Sequence, residues 1–415
     1  METRRGLFSA FGVELEYMVV DSESLDVLPA AETVLRDDAG TITGEVERGD
    51  VCWSNELVAH VIELKVAEPA PALDGLEQKF QAEVQEINRR LEPHNGRLMP
   101  GGMHPWMDPL EETVLWPHEY NAVYAAFDRI FSCQGHGWSN VQSVHLNLPF
   151  GNDDEFGRLH AAIRLVLPLL PALTASSPMV DGRLTGLMDN RLEFYRTNAR
   201  AIPLVSGKVI PEAVFTTTDY REQILERLYE AIAEHDPEKI LRNEWLNARG
   251  AIARFERNAI EIRVMDVQEC PAADVAICAG VVAVLKELVE ETHVSFAAQC
   301  AVPVEPLASV FLESLRNAEK TVVWNDDYLK LFGIQEEECS LQGVWRTLLD
   351  RAAAKGRIGA NHLKTLEIIV NEGPLARRLS RGLREKVEPE PEALEEVYEF
   401  LCQCLDEGEL FRVEG

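Results

Sequence analysis

Residues 12–21, Gly-Val-Glu-Leu-Glu-Tyr-Met-Val-Val-Asp, constrain the fold of this chain more than any other stretch. Glu14 and Glu16 alternate with apolar residues, and side chains at alternate positions of a β-strand lie on the same face. Two neighbouring carboxylates on a largely apolar strand are costly unless a cation neutralises them, which favours a divalent metal ion with oxygen ligands. The alternative is an edge strand with one solvated face, where both carboxylates are simply hydrated.

A second acidic pattern follows. Residues 41–47 alternate like a strand, and residues 55–66 continue as a third strand that carries Glu56 and Glu63. Residues seven apart in a regular strand face opposite sides, so both acids can reach one site only if a bulge or bend intervenes. Glu56 could equally be a solvated residue at the start of its strand.

Residues 141–149 alternate strictly and place Ser143, His145 and Asn147 on one face. Polar residues at alternate positions of a central strand suggest a second wall of the same cleft. A hydrogen-bonded core histidine is the alternative interpretation of His145. Upstream, Gly101 and Gly102 end a predicted strand and indicate a close approach of the backbone to another group.

Residues 250–255 and 259–266 are predicted to form a β-hairpin. Glu261 and Arg263 share one face of it, and alone they could form a simple ion pair. Beside the other acidic strands, a metal-ligating Glu261 and a phosphate-binding Arg263 are favoured.

The polar segment 181–191 is flexible enough to close over a ligand. Arg191 at its end, and Arg196 five residues later, have the side chain that suits phosphate or carboxylate. Arginines are common on protein surfaces, so this segment alone is weak support.

Length and charge limit the remaining possibilities. The 415 residues suffice for one elaborated domain or for a catalytic domain with an appendage. The net charge of −30 argues against duplex DNA or an anionic membrane as partner. No apolar run could span a bilayer and no signal-type segment follows the first residues, so a cytoplasmic protein is expected. The eight cysteines lack metal-ligand spacing, so we expect neither disulfides nor a zinc knuckle.

Helical periodicity predicts how the rest of the chain is organised. Helices are expected at 71–92, 117–131, 152–173, 272–300, 307–331, 341–354, 362–379 and 392–405. Residues 1–300 are predicted to form the catalytic domain, and residues 301–415 a helical C-terminal region packed on it.

In number and order, these motifs resemble the glutamate–cysteine ligase family, in its second bacterial type and carboxylate–amine ligase branch. The resemblance covers about residues 8–295 and rests on Gly-Val-Glu-x-Glu, acids seven apart, Gly-x-His-Pro, His-x-Asn, Ser-Ser-Pro followed by Thr-Gly and arginine, and Ile-Glu-x-Arg-x-x-Asp. It implies a glutamine-synthetase-like α+β fold, in which a curved, mainly antiparallel sheet forms a funnel-shaped active site with helices outside. Leu15 departs from it where a third glutamate is common, and Ser143 replaces a frequent histidine.

The resemblance also implies roles for individual residues. Magnesium ions would be held by Glu14, Glu16, Glu63 and Glu261, with His145 and Glu56 completing the shell. Catalysis would fall to Arg263, Arg191 and Glu261, and ATP would be bound by Arg263, Arg191, Arg196 and Asn147.

The implied activity is ATP-dependent formation of an amide, most simply between the γ-carboxylate of glutamate and an amine such as cysteine, through an acyl phosphate. The partners would then be small molecules, the pathway glutathione biosynthesis, and the assembly a homodimer. Three alternatives stay open: another amino acid or peptide as acceptor, a catalytically inactive relative that acts as a nucleotide or amino-acid sensor or partner subunit, and a metal hydrolase. The intact acids argue against the inactive relative, and the hydrolase lacks an evident metal-activated water.

Overall fold

The computed structural model describes residues 5–413. Its strands in chain order are β1 (Gly12–Asp21), β2 (Glu45–Arg48), β3 (Val51–Asn55), β4 (Val61–Val66), β5 (Gly96–Met99), β6 (Ser143–Pro149), β7 (Met179–Val180), β8 (Arg183–Leu184), β9 (Ala251–Arg254), β10 (Ala259–Asp266), β11 (Val322–Val323) and β12 (Cys339–Ser340). The main sheet has the order β2-β3-β4-β1-β6-β10-β9, and β5 pairs with the second half of β1. Its strand pairs are all antiparallel.

The longer helices are α1 (Leu76–Leu91), α2 (Asn121–Phe131), α3 (Asp153–Val166), α4 (Asn190–Asn198), α5 (Pro271–Val289), α6 (Val304–Asn317), α7 (Leu341–Ala354), α8 (Ala360–Glu372), α9 (Leu375–Gly382) and α10 (Pro391–Glu407). Shorter helical segments lie at Ala31–Val34, Glu92–His94, Pro109–Glu112, His136–Ser139, Leu167–Leu169, Pro171–Thr174, Thr217–Tyr220, Arg221–Glu226, Arg227–Ile232, Glu244–Leu246, Phe296–Cys300, Ala318–Lys320 and Asp326–Leu331. Among the helices of residues 5–413, none combines the length and apolarity needed to cross a membrane.

Strand β1 shows how the sheet separates its two faces. Val13, Leu15 and Tyr17 are fully buried in the main apolar core. Glu14 and Glu16 point the other way, as the alternation of a strand requires. Helix α5 is apolar around most of its circumference, so it lies inside the molecule and packs against α1, α3 and the C-terminal helices α7 and α8.

The α+β prediction, with an antiparallel sheet, surrounding helices and a helical C-terminal region, is confirmed. The prediction of one strand over residues 55–66 is wrong. Strand β3 ends at Asn55, a turn follows, and β4 begins at Val61. Strand β3 escaped notice because it is buried throughout and therefore lacks the alternation of a half-exposed strand.

Four predicted helices are interrupted. The one over 152–173 ends as an α-helix at Val166 and continues as two short segments, Leu167–Leu169 and Pro171–Thr174. The helix expected over 272–300 ends at Val289 before a separate turn, and the one over 307–331 is interrupted after Asn317. The helix over 362–379 breaks at Gly373, whose φ of +91° and following Pro374 are typical of a helix end.

The division at residue 300 stays a prediction. The main apolar core contains Leu285 from the first region together with Leu341 and Leu366 from the second, so one core joins them.

Candidate active site

The register of the sheet brings the predicted polar residues to one face. Glu16 of β1 lies opposite Glu63 of β4, and Glu14 lies opposite His145 of β6. Because directly opposed residues project to the same side, strands distant in sequence supply one acidic surface. The same pairing continues outward, where Asn147 faces Glu261 of β10.

Two groups of these side chains are close enough to hold metal ions. Glu14, Glu63 and His145 form one group, and Glu16, Glu56 and Glu63 form the other, with possible ligand atoms in each group within 4.8 Å of one another. Glu63 belongs to both. Glu56 reaches the site because the β3–β4 turn supplies the bend that the seven-residue spacing required.

Neighbouring hydroxyl groups hold these carboxylates in place. Ser143 donates to Glu16 Oε2 from both its backbone N (2.6 Å) and its Oγ (3.0 Å). Ser54 Oγ donates to Glu63 Oε2 at 2.5 Å. His145 Nδ1 lies 3.0 Å from Glu14 Oε2, so the donors and acceptors of the site are fixed before any ligand arrives.

The carboxylates are too crowded to ionise independently. Burial and the charge of Glu14 raise the pKa of Glu63 to about 7. Burial and the charges of Glu16 and Glu63 raise the pKa of Glu56 well above its usual range. Oxygen ligands from buried, mutually repelling carboxylates suit Mg²⁺, since a divalent cation would stabilise the ionised forms of Glu56 and Glu63. The donor set therefore fits the predicted metal.

The surroundings of His145 favour its charged form, whereas those of Glu56 and Glu63 favour the neutral form. Burial disfavours its charged form, but the hydrogen bond to Glu14 and the charges of Glu16 and Glu261 outweigh that effect and raise its pKa to about 9. The same pairing lowers the pKa of Glu14 to about 2 despite its burial. In the absence of metal, Glu14 and His145 thus form a buried ion pair.

Glu261 is held differently from the other acids. Its Oε2 accepts from Arg254 Nη1 at 2.8 Å, and its Oε1 lies 3.0 Å from Arg263 Nε. It belongs to neither three-residue group found among residues 5–413. The structure brings Glu261 to the site face but pairs it with arginines, and its role as a metal ligand stays a prediction.

The other predicted ligand-binding residues separate into two sets. Arg191 and Arg263 line the cavity over the acids, and Asn147 Nδ2 donates to Glu14 Oε1 at 3.0 Å. Arg196 forms a surface ion pair with Glu193 and does not line that cavity, because α4 turns its side chain away.

The cavity has a volume of about 500 Å³. Its floor is the acidic surface, and an aromatic wall stands over it, formed by Tyr124, Phe127, Trp138 and Trp245. The Phe127 ring centroid lies 5.3 Å from that of Trp138 and 5.7 Å from that of Trp245. A cavity with one charged and one aromatic wall suits a ligand that is charged at one end and flat or apolar at the other.

Several cavity residues were not identified from the sequence: Ser54, Lys65, Tyr124, Trp138, Trp245, Arg254 and Arg257. Arg254 carried a usable signal, because it ends an apolar strand of the hairpin that bears Glu261. The aromatic residues carried none, since the tertiary fold alone brings Trp245 to the helix that bears Tyr124.

Comparisons with known proteins identify the family of the chain. The model of glutamate–cysteine ligase family 2 matches residues 10–399, and so extends well beyond the 8–295 of the motif resemblance. An uncharacterized protein of Archaeoglobus fulgidus is 32% identical over 400 residues, which cover 96% of this chain and 99% of that protein.

Two solved structures share the fold at low sequence identity. The glutamate–cysteine ligase of Francisella tularensis in complex with AMP has a TM-score of 0.57 and 12% identity, over 95% of this chain and 88% of that one. The complex between prokaryotic ubiquitin-like protein Pup and its ligase PafA has a TM-score of 0.51 and 11% identity, over 100% of this chain and 77% of that one. The resemblance inferred from the motifs is confirmed. The chain belongs to glutamate–cysteine ligase family 2 and is an ATP-dependent carbon–nitrogen ligase.

Proposed function

We propose that this chain joins the γ-carboxylate of glutamate, or of a glutamate-like acid, to the amino group of a small molecule such as cysteine. The observation that carries the proposal is the pair of acidic groups sharing Glu63, set in a cavity that also presents Arg191, Arg254 and Arg263. Acids alone could hold metal for many reactions. Acids beside several arginines suit a polyphosphate with its cations and an anionic co-substrate.

The chemistry proceeds in two transfers. A carboxylate oxygen of the substrate attacks the γ-phosphorus of ATP, and ADP leaves, which gives an acyl phosphate. The amine nitrogen then attacks the acyl carbon, the C–O bond to phosphate breaks, and the nitrogen loses a proton. Phosphorylation is needed because a carboxylate oxygen is otherwise a poor leaving group.

The residues of the chain bind, align and neutralise the reactants. Mg²⁺ held by Glu14, Glu16, Glu56, Glu63 and His145 would supply charge neutralisation of the triphosphate. Arg191 and Arg263 line the cavity and would hold phosphate or carboxylate oxygens, and Arg254 forms an ion pair with Glu261 beside them. Arg196 lies outside the cavity, so we propose no role for it.

The test is ADP release by the purified full-length chain with Mg-ATP. Glutamate and other carboxylates are each combined with a panel of amines that includes cysteine, other amino acids and a lysine-containing peptide. The peptide is included because one structural neighbour is described as the ligase of a protein modifier. ADP that appears only with both glutamate and an amine supports the proposal and identifies the acceptor.

If ATP binds but no pair stimulates ADP release, the proposed ligation is wrong, and the sensor or partner-subunit hypothesis takes its place. A cytoplasmic location and a homodimer also remain proposals, to be tested by fractionation and by analytical ultracentrifugation.

A further inference from the structure

Asp266 is fully buried beneath the cavity and belongs to neither acidic group. We propose that it is a positioning residue, which holds the guanidinium of Arg191 in the orientation that binds an anionic oxygen group of a substrate. The inference rests on the proposed function and adds to it a residue that never touches substrate.

The contact between the two side chains is direct. Arg191 Nε donates to Asp266 Oδ1 at 2.5 Å, and Arg191 Nη2 donates to the backbone oxygen of Arg263 at 3.3 Å. Both side chains are almost fully buried, yet Arg191 lines the cavity. A guanidinium carries several N–H donors in a rigid plane, so fixing its inner edge fixes the direction of its remaining donors.

A bulge in β10 places Asp266 where it can do this. Glu261 pairs with Asn147 and Asp266 pairs with Ser143, but the register shifts between Ile262 and Met265. Residues five apart in a regular strand face opposite sides. The bulge reverses that parity and brings Asp266 to the face that carries Glu261.

The other oxygen of Asp266 is held by the Ser-Ser-Pro motif. Asp266 Oδ2 accepts from Ser176 N at 3.0 Å and from Ser177 Oγ at 2.8 Å. Ser177 Oγ in turn accepts from the backbone N of Arg191 at 3.1 Å. The motif therefore connects Asp266 to the first turn of α4, which carries Arg191.

Gly102 packs directly against the Asp266 carboxylate. A Cβ atom on Gly102 would lie 2.5 Å from Asp266 Cγ, far inside van der Waals contact. Gly102 N also donates to Ser176 Oγ at 2.8 Å. The close approach that the paired glycines indicate is thus an approach to Asp266. The carboxylate has no room to rotate, so it can act as a fixed anchor.

The experiment is a double-mutant cycle with Arg191→Ala, Asp266→Asn and the double variant, in the full-length chain. ATP affinity is measured by equilibrium dialysis, and the KM of the carboxylate and kcat by ADP release. If Arg191 holds phosphate, the ATP affinity falls; if it holds the substrate carboxylate, that KM rises. We expect Asp266→Asn to weaken the binding of the same ligand as Arg191→Ala does, by about 10- to 100-fold in affinity or KM. The double variant should bind that ligand less than threefold worse than Arg191→Ala.

Two further variants separate positioning from folding. Gly102→Ala should weaken the same ligand, because its Cβ displaces the Asp266 carboxylate while leaving the charges in place. Asp274→Asn is the matched control: Asp274 is an equally buried acid that contacts Tyr17 and the Gln268 backbone instead of Arg191, so its loss should lower the melting temperature without a selective change in affinity or KM.

Wild-type affinity and KM in Asp266→Asn, or losses that multiply in the double variant, would overturn the inference. The same holds if Asp274→Asn weakens that ligand as much as Asp266→Asn does. If the wild type binds ATP but turns over no pair of substrates, the proposed ligation is wrong. The ATP affinities of the variants then still test the role of Asp266. A wild-type chain that neither binds ATP nor turns over any pair would overturn both.

Discussion

Glu63 carries a conflict between stability and function at the scale of one residue. It contributes an oxygen to both acidic groups, and its burial near Glu14 raises its pKa to about 7. Sites that concentrate like charge in this way are costly for the fold and are kept where a ligand relieves the repulsion. The opposite arrangement lies three strands along the sheet on β10, where Glu261 has arginine partners on both oxygens.

We therefore expect Glu63→Gln to lower kcat/KM for ADP release by about 10²–10³-fold, while the melting temperature in EDTA stays equal or rises. The neutral amide removes one charge from the cluster, so the fold loses repulsion as the site loses a ligand. Differential scanning calorimetry and the ADP assay measure the two effects. Glu47→Gln, at an exposed position of β2 outside the cavity, is the control and should change neither; a melting temperature well below wild type in Glu63→Gln would contradict the account.

Glu261→Gln should lose activity as well, but with a loss of stability. The substitution leaves Arg254 and Arg263 beside a neutral group, and breaking a buried ion pair costs about 3 kcal/mol. Urea unfolding of the two glutamine variants side by side gives the comparison. Equal stabilities for Glu63→Gln and Glu261→Gln would show that the arginine pairs do not matter to the fold.

At the scale of elements, the alternating strands could be predicted and their connections could not. The first half of β1 and residues 143–148 of β6 alternate polar side chains on the cavity side with apolar ones on the core side, so a period of two in the sequence reports their orientation. The β3–β4 turn after Asn55 has no glycine or proline to announce it, and the β10 bulge exists only in relation to the pairing with β6. The turn changes the direction of the Glu56 side chain, and the bulge changes the face on which Asp266 lies. The sequence alone therefore left Glu56 undecided and gave Asp266 no role.

Helix α3 makes the stability of the chain sensitive to acid. His160 is fully buried, stacks on Phe156 and donates Nδ1–H to the Val214 oxygen. Burial and the charge of Arg164 lower its pKa from 6.5 to about 3. Below pH 6.5 the unfolded chain binds a proton at this histidine that the folded chain does not bind, so stability falls as the pH falls.

His160→Asn keeps an N–H donor near the Nδ1 position but does not titrate. Between pH 7 and pH 5, wild type should lose about 2 kcal/mol more unfolding free energy than the variant, at about 1.4 kcal/mol per pH unit below the unfolded pKa. Urea unfolding at both pH values measures the difference. An identical acid dependence in the two proteins would mean that His160 is protonated in the folded chain.

At the scale of the whole molecule, one core joins the sheet to the C-terminal helices. A Cβ on Gly280 of α5 would lie 3.3 Å from Leu366 Cδ1 of α8, so the missing side chain lets these helices approach closely. The aromatic wall of the cavity is also a property of the whole fold, since Trp245 comes from a segment far along the chain from Tyr124 and Trp138. Local patterns could identify the acidic floor but not the wall above it.

Leu366→Ala tests whether the chain unfolds as one unit or as the two regions proposed from the sequence. Leu366 is fully buried, and its truncation should cost about 2–5 kcal/mol through lost burial and a cavity. If one core stabilises both regions, hydrogen exchange should accelerate equally in α7 and in the distant strand β6, because both open only in global unfolding. Leu312→Ala, 46% exposed on α6, is the control and should change the free energy by less than about 0.5 kcal/mol. Faster exchange confined to the C-terminal helices would show instead that the region after residue 300 unfolds separately from the ligase site.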